Sequence, residues 1–206
     1  RDRVQRLDAM GGTGVFTREV QLAVLDGRAD LAVHSLKDLP TEVTDGLLLA
    51  AVPERGRSGD ALVVGRPMSG TADADGGLEL LAAGAGVGTG SPRRQAQIRF
   101  RRPDLEVTGI RGNVETRLRK LDEGEYDAVV LAVAGLERLE LADRITAVLD
   151  PDVVLPAVGQ GALGLERASD RKDVKQILSA IIDKKTTCCC QAENIYLNKM
   201  GGGCFD

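Results

Sequence analysis

Three short clusters in this 206-residue chain combine backbone freedom with charge in a way that points to chemistry. In Gly88-Thr89-Gly90-Ser91-Pro92-Arg93-Arg94, glycine frees the backbone, Ser91 can cap a helix, and Pro92 suits the first helical position. The unpaired N–H groups of such a turn make an anion site. Two arginines there oppose the helix dipole, which favours acids, and an anionic ligand accounts for them better than a structural role does. Gly109-Ile110-Arg111-Gly112-Asn113 repeats the strand-to-helix design, with Arg117 one turn further on. Arg117 reads equally as a solvated helix charge, and so does Arg144 after a short helix. Guanidinium groups pair bidentately with carboxylates or phosphates, so several converging arginines imply a ligand with several acidic groups.

The third cluster, His34-Ser35-Leu36-Lys37-Asp38, brings one carboxylate into this cationic set. It reads either as a surface Lys–Asp pair, worth about 0–1 kcal/mol, or as an ionised acid that steadies a developing cation or shuttles a proton. His34, the only histidine, suits a core or hydrogen-bonding role better than catalysis. With no other histidine to activate Cys204, a cysteine–histidine dyad is not expected. Leu155-Pro156-Ala157-Val158-Gly159-Gln160-Gly161-Ala162-Leu163-Gly164 suits an extended crossing or hinge, and Gly201-Gly202-Gly203-Cys204 a flexible loop that presents sulfur.

The elements that must hold these clusters alternate. Thr17 is expected to cap a helix through Glu19–Leu25, ended by Asp26-Gly27, and a strand over 29–33 leads into the His34 loop. Residues 69–79 read as an exposed Gly-rich insertion. A strand over 85–88, a helix from Ser91, a strand over 105–110, a helix from Asn113 through Leu121 and an apolar strand over 126–133 follow. Unalternating strands separated by helices predict a sheet covered on both faces, built from parallel βαβ units. In such sheets ligands bind at the carboxyl ends of the strands, where each polar cluster falls.

Composition narrows the classes. No run approaches the ~18 apolar residues of a membrane helix, and the charged start (Arg1, Asp2, Arg3) is unlike a secretory signal. A net charge of −4, no Trp, 2 Tyr and 3 Phe argue against nucleic acid as partner. Cys188, Cys189, Cys190 and Cys204 fit neither a disulfide scaffold nor zinc spacing, so reduced thiols and no metal are expected. All twenty arginines lie at or before Arg171, while five of seven lysines follow it, a seam that could mark a domain boundary or a join. Both ends look abrupt, as in a fragment.

Together the segments GGTGVFTREVQLAVLDGRADLAVHSLKDLPTE, VGTGSPRRQAQIRFRRPDLEV, IRGNVETRLRKLDEGEYDAVVLAVAGLERL, LPAVGQGALGLE and, more loosely, QAENIYLNKMGGGC resemble the porphobilinogen deaminase (hydroxymethylbilane synthase) family. The resemblance implies an α/β fold of two type II periplasmic-binding-protein-like domains, with mostly parallel sheets and the active site in the cleft between them, plus the start of a small α+β third domain. On this chain that gives 1–55 with 160–180, then 56–155, then 184–206. The activity implied is condensation of four porphobilinogen units with release of ammonia, by a cytoplasmic or plastid monomer. The growing chain is carried on a dipyrromethane cofactor bound through a thioether, a position matching Cys204. The catalytic aspartate matches Asp38. Cofactor contacts match Ser35, Lys37, Thr89, Ser91, Arg93, Arg94 and Arg111, and substrate contacts match Arg18, Arg117 and Arg144. Thr13 stands where the family often has lysine. A non-catalytic two-lobed binder of a small polyanion remains the alternative, and would need neither Asp38 nor a loaded Cys204.

Overall fold

The structure, a computed structural model, describes residues 13–40, 44–65 and 77–201, with side chains from Thr17 onward. The chain divides into two units, with crossings after Arg55 and after Gly161.

The first unit carries a three-stranded sheet. Helix α1 (Thr13–Leu25) leads to β1 (Ala32–Ser35) and a 3₁₀ turn (Leu36–Asp38), followed by β2 (Leu47–Ala51). The chain returns as β8 (Leu163–Ala168), then α5 (Lys172–Leu178) and α6 (Lys184–Lys199). β8 lies between β1 and β2 and runs antiparallel to both. Val24 of α1 closes on Ala32 and Leu47, while Val174 and Leu178 of α5 pack against Ala51 and Leu165. α6 clusters with this unit: Cys190 packs on Val52 and Ala162, and Arg55 pairs bidentately with Glu193 at 2.5 and 3.1 Å. Two expectations shift. Thr17 is no cap but lies buried inside α1, and the first strand runs over 32–35, where the β8 register turns Ala32 and His34 inward.

The second unit holds β3 (Asp60–Val64), β4 (Gly86–Gly88), α2 (Pro92–Arg101), β5 (Glu106–Thr108), α3 (Val114–Asp122), β6 (Ala128–Ala132), α4 (Val133–Arg138) and β7 (Ala147–Leu149). Sheet order is β5-β4-β6-β3-β7, with β5, β4 and β6 parallel and β3 antiparallel to both β6 and β7. Successive residues of β3 and β6 serve opposite cores: Leu62, Ala128 and Val130 meet Ile98 of α2, while Ala61, Val63, Val129 and Leu131 meet Leu118 and Leu121 of α3. Burial on both faces is why these strands read as unbroken apolar runs. Residues 69–76 of the expected insertion lie outside the described residues. Leu78, at the insertion's end, is a fully buried core residue in a 3₁₀ turn, so its apolar side chain outweighs its polar neighbours.

Candidate functional site

Strand direction explains where polar groups collect in the second unit. The carboxyl ends of β4, β5 and β6 share one sheet edge, and antiparallel β3 brings its first residue there, Asp60 opposite Ala132 of β6 and Leu149 of β7. Asp60 is completely buried and accepts from Arg94 Nε at 3.0 Å, Arg94 Nη2 at 2.5 Å, Arg93 Nη2 at 2.9 Å and Gln160 Nε2 at 2.8 Å. Burial opposes its ionisation, but Arg94 and then Arg93 prevail and hold the carboxyl below the ordinary aspartate range.

Four of the expected contact residues lie in or beside this cluster. Arg94 is 4% exposed, and its remaining donors reach the Val130 carbonyl at 3.0 Å and Gln160 Oε1 at 3.3 Å, so it pins the loop. Thr89 is wholly buried, with its hydroxyl accepting from the Ser91 amide, and it too shapes the loop. Ser91 caps α2 by accepting from the Arg94 amide at 3.4 Å, which leaves its O–H free to donate. Arg93 is shared between Asp60 and the Leu155 carbonyl.

Arg111 and Arg117 differ. Asn113 caps α3 by accepting from the Thr116 amide at 2.8 Å, and Gly112, at φ +114°, turns the chain into that cap. Arg117, half-buried, donates Nε to the Gly112 carbonyl at 2.8 Å. Burial and then the cations Arg94 and Arg111 push its pKa down. Among the described residues neither Arg111 nor Arg117 has a carboxylate partner. The two loops meet at Gly90, where an added Cβ would stand 2.8 Å from the Ile110 carbonyl and 3.6 Å from Arg117 Nη2. Glycine therefore brings the loops together, leaving positive charge beside exposed backbone.

Arg144 does not join them. It pairs with Asp122 at 2.6 and 3.3 Å, and Asp122 is the last residue of α3, so the pair lies about a helix length (~13 Å) from the Gly112 end. Sequence reading missed Arg138, at the end of α4, which donates to the Gly161 carbonyl at 2.6 Å, one residue from Gln160. It also missed Asp60 and Gln160, because nothing local to either marks a contact with Arg94.

In the first unit, Asp38 ends the 3₁₀ turn after β1 and is half-buried. Burial raises its pKa, against the lowering effect of Lys37 and then His34. Ser35 points outward from β1, and Arg18 is exposed on α1. Cys204 lies outside the described residues. The arrangement offers two functions, each within its own unit: a cationic loop pair suited to carboxylates, and a desolvated acid suited to a cation.

These features coincide with a family match. Residues 1–176 match the model described as "Porphobilinogen deaminase, dipyromethane cofactor binding domain". The chain is 50% identical over 198 residues to the porphobilinogen deaminase of Chromobacterium violaceum, covering 96% of this chain and 62% of that protein. It is 49% identical to that of Nitrosomonas europaea over 96% of this chain and 62% of the relative. Among solved structures, an ABC transporter protein from Parabacteroides distasonis overlays at a TM-score of 0.49 with 16% identity, covering 89% of this chain and 65% of that one. The chain belongs to the porphobilinogen deaminase family. It spans about three fifths of the length of the curated relatives it matches.

Proposed function

We propose that the protein containing this chain is a hydroxymethylbilane synthase, a transferase that joins four porphobilinogen units head to tail with loss of ammonia. The observation that carries this reading is the pair Arg111 and Arg117, cations with no carboxylate partner among the described residues, set beside the Gly90 loop. Porphobilinogen bears two carboxylates, so each added ring brings anions that such a surface neutralises. Family membership supplies the reaction class.

In this reading Arg111 and Arg117 bind acid groups, Arg93 lends partial charge at the rim, and Arg94 with Asp60 keeps the loop in place. Arg18, Ser35 and Lys37 contribute polar contacts from the first unit. Asp38 keeps its carboxylate ready where positive charge develops on the substrate as ammonia leaves, and its desolvated setting strengthens that attraction. The uncompensated guanidiniums fit a dipyrromethane, which is rich in carboxylates, and Cys204 would hold it through a thioether. When bound, that group supplies the pyrrole end to which units are added. Residues from 184 onward would open the cofactor-bearing third domain. A reducing cytoplasm fits the free thiols of Cys188, Cys189 and Cys190 on α6, and a monomer is what the family resemblance implies.

Mass spectrometry of the intact protein, purified from cells that supply porphobilinogen, tests this. Two linked pyrrole units on Cys204, with a pink colour on an aldehyde reagent for pyrroles, are expected. An unmodified Cys204 in such a preparation would refute it in favour of a non-catalytic polyanion binder.

A further inference from the structure

A polar trio sits in the layer between α1 and the sheet of the first unit, where apolar residues would suffice. Thr17, Gln21 and Val24 form the buried face of α1, at the i, i+4 and i+7 positions. Opposite them lie His34, the last inward residue of β1, and Glu166 of β8, each 7% exposed. Gln21 Nε2 donates to Glu166 Oε2 at 2.9 Å, and His34 Nε2 stands 3.2 Å from the same oxygen, off the line of a hydrogen bond. Burying ionisable groups is unfavourable, and a shape-matched apolar set is often neutral or stabilising in their place. Stability alone does not explain the trio.

Its position does. β1 runs straight into the 3₁₀ turn that carries Asp38, and the Leu36 amide fixes that turn to the Ala162 carbonyl at 3.0 Å. The Thr17 hydroxyl reaches the Asp38 carbonyl at 3.5 Å from the same α1 face that holds Gln21. Charged or titratable groups facing Asp38 are Lys37 on its own turn and His34 on β1, with Glu166 of β8 behind His34. α1 presents the neutral Thr17.

We propose that His34 is a positioning residue for Asp38: Gln21 anchors Glu166, the His34–Glu166 pair ties the inward end of β1 to β8, and β1 so fixed runs directly into the turn that carries Asp38. This rests on the reading of Asp38 as the acid that meets the substrate.

The primary test is a ¹³C-carboxyl NMR titration of Asp38 in the intact protein, which needs no turnover. Burial is expected to place the wild-type midpoint above the ordinary aspartate range, and His34→Gln or His34→Asn to move it further up, because the lowering influence of His34 is gone. An unchanged midpoint in a folded variant of either kind overturns the proposal. Turnover of porphobilinogen supplies the second readout: about a tenfold fall in kcat with KM within twofold is expected, and KM rising with kcat unchanged would overturn it. If the wild-type protein released no ammonia from porphobilinogen, the functional reading would fall, while the titration would still decide the role of His34.

Discussion

Replacing Asp60 by asparagine tests the architecture of the second unit most directly. The carboxylate is fully buried and takes four hydrogen bonds, three from guanidinium groups. Asparagine keeps the shape but removes the charge, leaving Arg94, only 4% exposed, without its counter-ion. Hydrogen bonds to charged groups contribute about 1.5–3 kcal/mol each. Breaking a buried pair by removing one partner costs about 3–5 kcal/mol. Against a typical total of about 5–15 kcal/mol, a loss near 4 kcal/mol is severe. With a urea m-value of about 2 kcal/mol/M, it would lower the midpoint by roughly 2 M. The assay is urea unfolding at pH 7, with Asp60→Asn, Arg94→Met and the double variant compared. The double variant should lose less than the sum of the single ones, because it leaves no lone buried charge. A loss under about 1 kcal/mol for Asp60→Asn, or strict additivity, would refute the pin. The pH dependence follows from the lowered folded-state pKa of Asp60. Its contribution is complete above the unfolded-state value of 3.8 and disappears as pH falls through the lower folded value.

Arg117→Gln should weaken binding of a pyrrole polycarboxylate by roughly 10- to 150-fold (about 1.5–3 kcal/mol) in isothermal titration calorimetry. The unfolding midpoint should not fall, since burial and two neighbouring cations disfavour the charge. Arg144→Ala, which breaks only a surface pair with Asp122, should change stability by about 0–1 kcal/mol and leave kcat/KM unaltered; a large loss of turnover would return Arg144 to the site. Asp38→Asn should abolish ammonia release while ligand binding persists. Because burial raises the folded-state pKa of Asp38, ionisation weakens the fold as pH climbs through that midpoint. The asparagine variant should therefore be at least as stable as wild type at pH 7, and a thermal melt showing otherwise would contradict the desolvated setting.

Much of this was legible in local sequence where the signal is itself local. Ser91 with Pro92, and Asn113 after Gly112, declare helix starts because a cap acts within three residues. The strands of β3 and β6 are apolar throughout because both faces are covered, but that pattern says nothing about direction, so antiparallel β3 was not foreseen. The structural part of Arg94 was hidden for a related reason. Two arginines behind a glycine-rich turn look alike in sequence, and only Asp60, 34 residues earlier, makes Arg94 a strut. His34 announced a buried role, yet the carboxylate 3.2 Å from its Nε2 lies on β8, a strand read as the end of a hinge. Glu166 is an acid in the centre of a buried strand, an arrangement that composition alone argues against.

The doorway of the second unit carries a practical consequence. The Gly56 amide donates to the Gly161 carbonyl at 3.1 Å, so the residues by which the chain enters and leaves touch one another. Gln160 knots the same spot, reaching the Ser58 carbonyl at 2.7 Å as well as Asp60. Both hydrophobic clusters of this unit lie between Ala61 and Val154. A stretch closed at its own threshold and furnished with its own interior is one that can be lifted out, so residues 56–161 expressed alone should fold, carrying half of the chemistry without the other half.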